Sequence, residues 1–259
     1  MSSLDSYFDA KEKLMVLNLL RMVFKKFTTL EDLKTYLDNK GVEISIANLS
    51  RYINGKALPK SKLKDKLLEV LVGNRELGLD IDLLTHKHIE IWPSEYGIAV
   101  NNGHLLNDSK ALNAILFMAI YKQFIPTDVD KVITAEVDGI VIASTLAHLL
   151  NIDCVYARKK KPTGSFRCLS EDIQSATSSR IETLYFPEKY IRKNERVIII
   201  DDIIRSGSTQ KALVNLVRKA GGIPVKVIIL IGIGSHWEKI TKLSNIPFKA
   251  LTVVPRSET

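Results

Sequence analysis

Residues 197–209 of the chain read VIIIDDIIRSGST, and this stretch decides the fold. Its first four residues are branched and apolar, as in a strand that is buried on both faces of a parallel sheet. Two carboxylates, Asp201 and Asp202, come next, and the hydroxyl-rich residues 205–209 then lead into a helical pattern. We therefore predict a strand, an acidic pair and a loop at a helix amino terminus, at the edge where open α/β sheets bind ligands.

The residue types in this stretch suit a sugar phosphate. A helix amino terminus with a glycine and several hydroxyl donors binds phosphate, and paired carboxylates accept hydrogen bonds from the vicinal hydroxyls of a ribose. The alternative, in which the acidic pair only caps the helix, needs one carboxylate rather than two. The signatures G-x-x-x-x-G-K-[ST] and G-x-G-x-x-G are absent, which disfavours the motifs that bind nucleoside triphosphates and dinucleotides.

On both sides of this stretch, short apolar strands alternate with helical patterns, which is typical of a parallel α/β sheet. The predicted strands cover residues 132–135, 153–157, 197–200 and 225–231, and the helices between them cover residues 140–150 and 208–220. Two further short strands, residues 89–92 and 96–100, and a helix, residues 111–123, precede them.

The first 72 residues show only helical periodicity. Thr29 and Ser45 are placed to cap two of the helices, and the periodicity lapses at residues 73–78. We therefore predict an all-α domain, residues 1–75, followed by an α/β domain, residues 76–259. The predicted helices of the first domain cover residues 11–24, 29–39, 45–53 and 60–72.

The order of helix, glycine-containing turn and helix in residues 29–53 is that of a helix-turn-helix. Residues 1–75 hold 14 Lys and Arg against 9 Asp and Glu, so this segment is the more basic part of a chain with a net charge of +8. A basic helix face with small and amide side chains suits a DNA major groove. The alternative is a dimerisation cap with solvated charges. The DNA-binding candidates are Ser45, Ala47, Asn48, Ser50, Arg51 and Lys56.

Composition excludes several other classes of protein. The two cysteines, Cys154 and Cys168, form no C-x-x-C pair or Cys/His cluster, so no set of ligands for structural zinc is present. No secretory signal pattern begins the chain, and no apolar run is long enough to span a bilayer. We therefore expect a cytoplasmic protein without a membrane partner.

Residues 197–209 resemble the phosphoribosyl-pyrophosphate (PRPP) motif of the type I phosphoribosyltransferase fold. The resemblance implies that Asp201 and Asp202 bind the ribose hydroxyls, that residues 205–209 wrap the 5′-phosphate, and that residues 136–139 form the pyrophosphate loop. The basic run after the strand at residues 153–157 resembles the step that meets pyrophosphate. The PRPP-binding candidates are thus Asp201, Asp202, Arg205, Ser206, Gly207, Ser208, Thr209, Glu136, Val137, Asp138, Gly139, Arg158 and Lys159.

The two-part layout resembles archaeal phosphoribosyltransferase-like regulators of the GfcR type and, more distantly, the purine repressor of Gram-positive bacteria. It implies a homodimeric, DNA-binding transcriptional regulator that senses PRPP with Mg²⁺ and controls genes of nucleotide or sugar metabolism. The alternative is an active phosphoribosyltransferase that joins a nucleobase to PRPP. Arg205 stands where enzymes of the fold usually have a small hydroxylated residue. It would either add a charge-assisted contact to the phosphate or mark a pocket that is no longer tuned for turnover, and the second alternative favours the sensor.

Two segments bear on the choice between sensor and enzyme. Residues 162–179 are polar and resemble the mobile loop that closes over PRPP in the enzymes, although an ordinary surface insertion has the same composition. His236 and Trp237 follow the last predicted strand, so Trp237 either stacks on a nucleobase or packs beneath a helix.

Overall fold

The computed structural model of the chain describes residues 3–94, 97–164, 167–174, 181–235, 237–238 and 245–255. Contacts divide the chain into two compact units. The helical unit comprises residues 1–84 and 114–121, and the α/β unit comprises residues 85–113 and 122–259. The domain boundary that the sequence places after residue 75 stays a prediction.

The helical unit contains the four helices that the periodicity predicts: α1 (Ser3–Phe24), α2 (Leu30–Asn39), α3 (Ile46–Ile53) and α4 (Ser61–Leu71). Thr29 caps α2 in a reciprocal capping box with Asp32, and the Ser45 hydroxyl accepts the Asn48 backbone N–H at the start of α3. A further short helix, α5 (Ile81–His86), was not predicted.

The core of the helical unit is built from the apolar stripes of these helices. Leu33 and Leu37 of α2, Leu49 of α3 and Leu67 of α4 are fully buried, as the 3.6-residue period requires. Between the residues that cap α2 and α3 lies a turn, residues 41–44, in which Gly41 has a φ of +78°. A residue with a side chain would be strained in this conformation, so the turn requires glycine at position 41.

The α/β unit is built on a five-stranded sheet in which every pair of neighbours is parallel, as predicted. The strands are β3 (Lys131–Ala135), β4 (Asp153–Ala157), β7 (Arg196–Ile204), β8 (Ile223–Ile233) and β9 (Phe248–Val254), in the order β4-β3-β7-β8-β9. The helices of this unit are α6 (Gly103–Asn107), α8 (Gly139–Leu150) and α9 (Ser208–Lys219). Helix α7 (Ser109–Tyr121) begins in this unit, and its residues 114–121 belong to the helical unit.

Two antiparallel hairpins accompany the sheet. The first pairs β1 (Glu90–Ser94) with β2 (Gly97–Asn101), and the second pairs β5 (Cys168–Gln174) with β6 (Ile181–Pro187). The second hairpin corrects the prediction of a polar loop over residues 162–179. Leu169 and Ile173 are buried on one face of β5, so a two-residue period was present among polar residues. Residues 165, 166 and 175–179 lie outside the described residues.

Strand β7 is longer than predicted. It continues through Asp201 and Asp202 to Ile204, and its last residues pair with Ile231 and Gly232 of β8. The sequence placed the acidic pair after the end of the strand, whereas the structure places it inside the strand. The apolar residues that follow the pair sustain the extended backbone.

No helix in the described part of the chain is both long and apolar enough to cross a bilayer.

Candidate functional site

The topology of the sheet creates a crevice beside the acidic pair. Strand β3 leads through α8 to β4 on one side, whereas its other neighbour, β7, leads through α9 away in the opposite direction. The chain therefore reverses its direction across the sheet between β3 and β7, and such a switch point is where open α/β sheets bind ligands. The β3–α8 loop and the β7–α9 loop both lie at this point.

Asp201 and Asp202 are adjacent on β7, and successive side chains of a strand point to opposite faces. The Asp201 carboxylate accepts a hydrogen bond from Gln210 Nε2 of α9 at 2.7 Å, and the Asp202 carboxylate accepts one from Asn102 Nδ2 at 2.8 Å. Asp201 is only 6% exposed. Two different elements therefore hold the two acids.

Burial raises the pKa of both carboxyl groups. For Asp201 the neighbouring charge of Asp202 adds to this effect, and for Asp202 the charge of Asp138 does so, against the hydrogen bonds that stabilise the ionised forms. The protein alone therefore disfavours the ionised forms of both carboxyl groups. A ligand that brings a cation or hydroxyl donors would stabilise these ionised forms.

The β7–α9 loop provides donors for an anion. Gly207 precedes α9 with a φ of +84°, a conformation that glycine adopts without strain. The hydroxyls of Ser206 and Ser208 lie 3.0 Å apart, and Thr209 follows in the first turn of α9, whose N–H groups and dipole favour an anion. One guanidinium nitrogen of Arg205 donates to the Ile98 carbonyl oxygen of β2 at 2.6 Å.

The β3–α8 loop packs closely against the acidic pair. A Cβ atom at Gly139 would lie 2.1 Å from Thr134 Oγ1 and 2.8 Å from Asp201 Oδ1, so only glycine allows this approach. Glu136 Oε1 accepts the backbone N–H of Lys159 at 2.6 Å. This hydrogen bond connects the β3–α8 loop to the segment that follows β4.

A single cleft of about 740 Å³ is lined by every predicted PRPP-binding residue except Arg158. Its size lies within the range of small-molecule sites. The Arg158 guanidinium instead donates to the Tyr156 hydroxyl at 2.6 Å and stacks over that ring, beside a separate cavity. The structure therefore does not bring Arg158 to the cleft, although Lys159 does line it.

Sequence reasoning missed two residues of the site and left one alternative open. Asn102 and Gln210, which bind the acidic pair, carried no local signal, since an isolated amide side chain is typical of any surface. Trp237 is 7% exposed, donates to the Gly234 carbonyl oxygen and packs on Phe248 at a ring distance of 4.8 Å. Trp237 therefore belongs to the core and does not stack on a ligand; His236 lies outside the described residues.

The sheet order, the acidic pair and the two loops define the type I phosphoribosyltransferase fold. Residues 104–254 match the family model described as "Phosphoribosyl transferase domain". The chain belongs to this family, because the match covers more than half of it.

Curated relatives include purine phosphoribosyltransferases. The chain is 33% identical over 112 residues to the xanthine phosphoribosyltransferase of Staphylococcus carnosus, covering 43% of this chain and 58% of the relative. It is 38% identical over 103 residues to the adenine phosphoribosyltransferase of Brachyspira hyodysenteriae, covering 40% of this chain and 59% of the relative. The chain thus spans less than two thirds of the length of these two relatives.

Among solved structures, adenine phosphoribosyltransferase from Thermoanaerobacter pseudethanolicus superposes with a TM-score of 0.58 at 22% identity, covering 66% of this chain and 98% of that chain. The enzyme from Trypanosoma brucei, in complex with AMP, pyrophosphate and ribose-5-phosphate, gives a TM-score of 0.55 at 20% identity, covering 67% and 80%. At these identities the likeness shows the fold.

The family uses PRPP together with Mg²⁺, and the residues of the cleft fit this pairing. No three His, Cys, Asp or Glu side chains among the described residues are grouped so as to hold a metal by themselves. Mg²⁺ characteristically binds through one or two carboxylates together with substrate phosphates and water. The acidic pair supplies such carboxylates, and PRPP would supply the phosphates.

Proposed function

We propose that the chain binds PRPP with Mg²⁺ in the cleft and transfers the phosphoribosyl group to a purine base. One observation carries the proposal: the structure brings an acidic pair, a phosphate-type loop and a close-packed glycine loop to one cleft at the switch point of the sheet. The names of the relatives, xanthine and adenine phosphoribosyltransferases, support the purine class.

Different residues of the cleft would bind different parts of PRPP. The start of α9 and the hydroxyls of Ser206, Ser208 and Thr209 would bind the 5′-phosphate. The acidic pair would accept hydrogen bonds from the ribose hydroxyls and hold the ring in place. The backbone of residues 136–139 would then face the pyrophosphate group. When bound with PRPP, Mg²⁺ would supply positive charge that stabilises the pyrophosphate leaving group.

In this reaction the bond from C1′ to pyrophosphate breaks and a bond from C1′ to a ring nitrogen of the base forms. The base loses the proton of that nitrogen, and pyrophosphate leaves as an anion. The protein would contribute position, since it would hold both reactants together in the cleft. Trp237 takes no part in holding the base, because it is buried against Phe248.

The test of this proposal is pyrophosphate release from PRPP in the presence of Mg²⁺ and xanthine, guanine, hypoxanthine or adenine, each assayed separately. We expect one or more of these bases to support turnover and the matching nucleotide to appear by chromatography. The matched control is Asp172→Asn, at an exposed position of β5 that does not line the cleft, and it should retain turnover. PRPP binding without turnover on any base would contradict the transferase.

A second candidate function rests on the helical unit. The turn of residues 41–44 joins two capped helices, and Ala47, Asn48, Arg51 and Lys56 are exposed on or just after α3. We propose on this basis that α3 binds DNA, with the chain as a cytoplasmic homodimer that regulates genes of nucleotide or sugar metabolism in response to PRPP. Ser45 and Ser50 are hydrogen-bonded within the unit, Ser45 as the cap of α3 and Ser50 to Asn54.

Mobility-shift titrations with the DNA upstream of the chain's own gene test the regulator. We expect binding that responds to PRPP with Mg²⁺, and a loss of about tenfold or more in the Arg51→Ala, Lys56→Ala double variant, because each cation that meets a phosphate contributes to affinity. Lys25→Ala, an exposed cation at the end of α1, should bind as the wild type does. The absence of any DNA binding would exclude this second function.

A further inference from the structure

The acidic pair is held by two buried amide side chains that lie far apart in the sequence. Asn102 is 6% exposed and Gln210 is 5% exposed. Each donates one N–H to one carboxylate, Asn102 to Asp202 Oδ2 and Gln210 to Asp201 Oδ2. Burying an amide is costly unless its hydrogen bonds are made, so both side chains are committed to the acids.

Asn102 stands at the start of helix α6, but its side chain does not cap the helix. It is the N-cap residue of α6, where an asparagine side chain normally accepts a backbone N–H, yet it makes no cap hydrogen bond. The side-chain oxygen of its neighbour Asn101 accepts the Gly103 N–H instead. The amide of Asn102 is thus directed to Asp202 rather than to its own helix.

An amide suits this task better than a cation would. Lys or Arg would neutralise the carboxylate and compete with hydroxyl donors or Mg²⁺ for it, whereas an amide donates a hydrogen bond without net charge. The carboxylate then remains an anionic acceptor, and its orientation is fixed. Because successive side chains on β7 point to opposite faces, each acid needs a partner from a different element.

We propose that Asn102 and Gln210 are positioning residues that orient the acidic pair toward the ribose hydroxyls of the ligand. This inference rests on the proposed binding of PRPP in the cleft. Gln210 lies in the first turn of α9, directly after Thr209. The turn that would bind the phosphate is therefore fixed to the acid that would bind the ribose, and the distance between the two subsites is set by one helical turn.

Calorimetric titration of the full chain with PRPP, and separately with its parts ribose 5-phosphate and pyrophosphate, tests the proposal. The variants are Asn102→Ala and Gln210→Met, of which the second keeps most of the side-chain volume. We expect ribose 5-phosphate, and PRPP with Mg²⁺, to bind about tenfold more weakly or worse, which is about 1.4 kcal/mol. Inorganic pyrophosphate has no ribose hydroxyls, so its affinity should change less than twofold.

A matched control is available within α9. Asn215 donates to Glu171 Oε2 at 3.0 Å, an amide–carboxylate bond in the same unit that does not line the cleft. Asn215→Ala should therefore bind all three ligands as the wild type does. If either main variant does not fold, Asn102→Leu or Gln210→Leu, which lack the amide donor and add no charge, replaces it, with the same selective loss expected.

Three results would overturn the proposal: unchanged binding of ribose 5-phosphate in the folded variants, equal loss for ribose 5-phosphate and pyrophosphate, or the same loss in Asn215→Ala. The second and third would indicate a general structural role. If the proposed function is itself wrong, the wild-type chain will not bind PRPP with Mg²⁺, and this result distinguishes that failure from failure of the present inference.

Discussion

Replacing both acids, as Asp201→Asn with Asp202→Asn, will weaken the binding of PRPP with Mg²⁺ by at least about 100-fold, because charge-assisted hydrogen bonds to the ribose and the counter-charge for Mg²⁺ are both lost. The single variant Asp201→Asn will at the same time stabilise the protein. Burial and the charge of Asp202 raise the pKa of Asp201, so the ionised form is disfavoured in the folded state. Calorimetric titration and thermal unfolding measure the two effects.

The pH dependence of this stabilisation follows from the sign of the shift. A carboxyl group whose pKa is raised by folding costs no stability below its unfolded pKa, near the ordinary value of 3.8. The cost grows as the pH rises through the folded pKa and is complete above it. Asp201→Asn should therefore raise Tm by roughly 2–4 °C, about 1 kcal/mol, at pH 7, and the difference should shrink toward pH 4.

The control for this experiment is Asp172→Asn. Asp172 is an exposed residue of β5 that accepts a hydrogen bond from the Thr183 hydroxyl, and it does not line the cleft. It should alter Tm and PRPP affinity little. A stabilising effect of Asp201→Asn that is equally large at pH 4 and pH 7 would show that the buried charge is not its cause.

Gly139→Ala will disrupt both the fold and the site. The added Cβ would lie 2.1 Å from Thr134 Oγ1 and 2.8 Å from Asp201 Oδ1, and both neighbours are buried. We expect the free energy of unfolding to fall by about 1–3 kcal/mol, and PRPP affinity to fall with it, because Asp201 is displaced. Denaturant unfolding and calorimetry provide the measurements.

Two further variants make this prediction specific. Gly103→Ala also adds a methyl group at a helix start, but its Cβ meets only the Asn101 side chain, at 3.0 Å, so a small effect is expected. Adding Thr134→Ala to Gly139→Ala removes the shortest contact and should restore part of the stability, as in a double-mutant cycle. Additive losses in the double variant would rule out this clash as the cause.

The acidic pair and the loop around Gly207 were predictable because their signal is local. Residue types, their order and the strand before them all lie within thirteen positions of the sequence. The parallel sheet was predictable for the same reason, since each strand and helix shows its own period. Confirmation of the family extends this agreement to residues 104–254.

The partners of the acidic pair were not predictable, because they depend on tertiary structure. Asn102 lies 100 positions from Asp202 in the sequence, and no pattern relates them. Arg158 was predicted with Lys159 because the two are adjacent. Consecutive residues of an extended segment point in opposite directions, however, and Arg158 pairs with Tyr185 as an extended residue does. Only Lys159 therefore reaches the cleft.

The choice between a sensor and an enzyme was harder to predict from the sequence than the fold was. Arg205 departs from the usual pattern of the enzymes, but its guanidinium donates to the Ile98 carbonyl oxygen of β2, which is compatible with either function. The relatives named as phosphoribosyltransferases favour the enzyme. The DNA-binding hypothesis now depends on the helical unit alone.

Because the acids lie inside β7, an insertion or deletion within this strand would disrupt the site. A single inserted or deleted codon between Val197 and Asp201 would shift the register of a strand that pairs on both sides, and every side chain after it would exchange faces. At most one acid would then lie where the other had been, so the pairing of Asp201 with Gln210 and of Asp202 with Asn102 would be lost. Changes in length that preserve the site are therefore restricted to the connections between strands, whereas within β7 the chain can vary only by substitution.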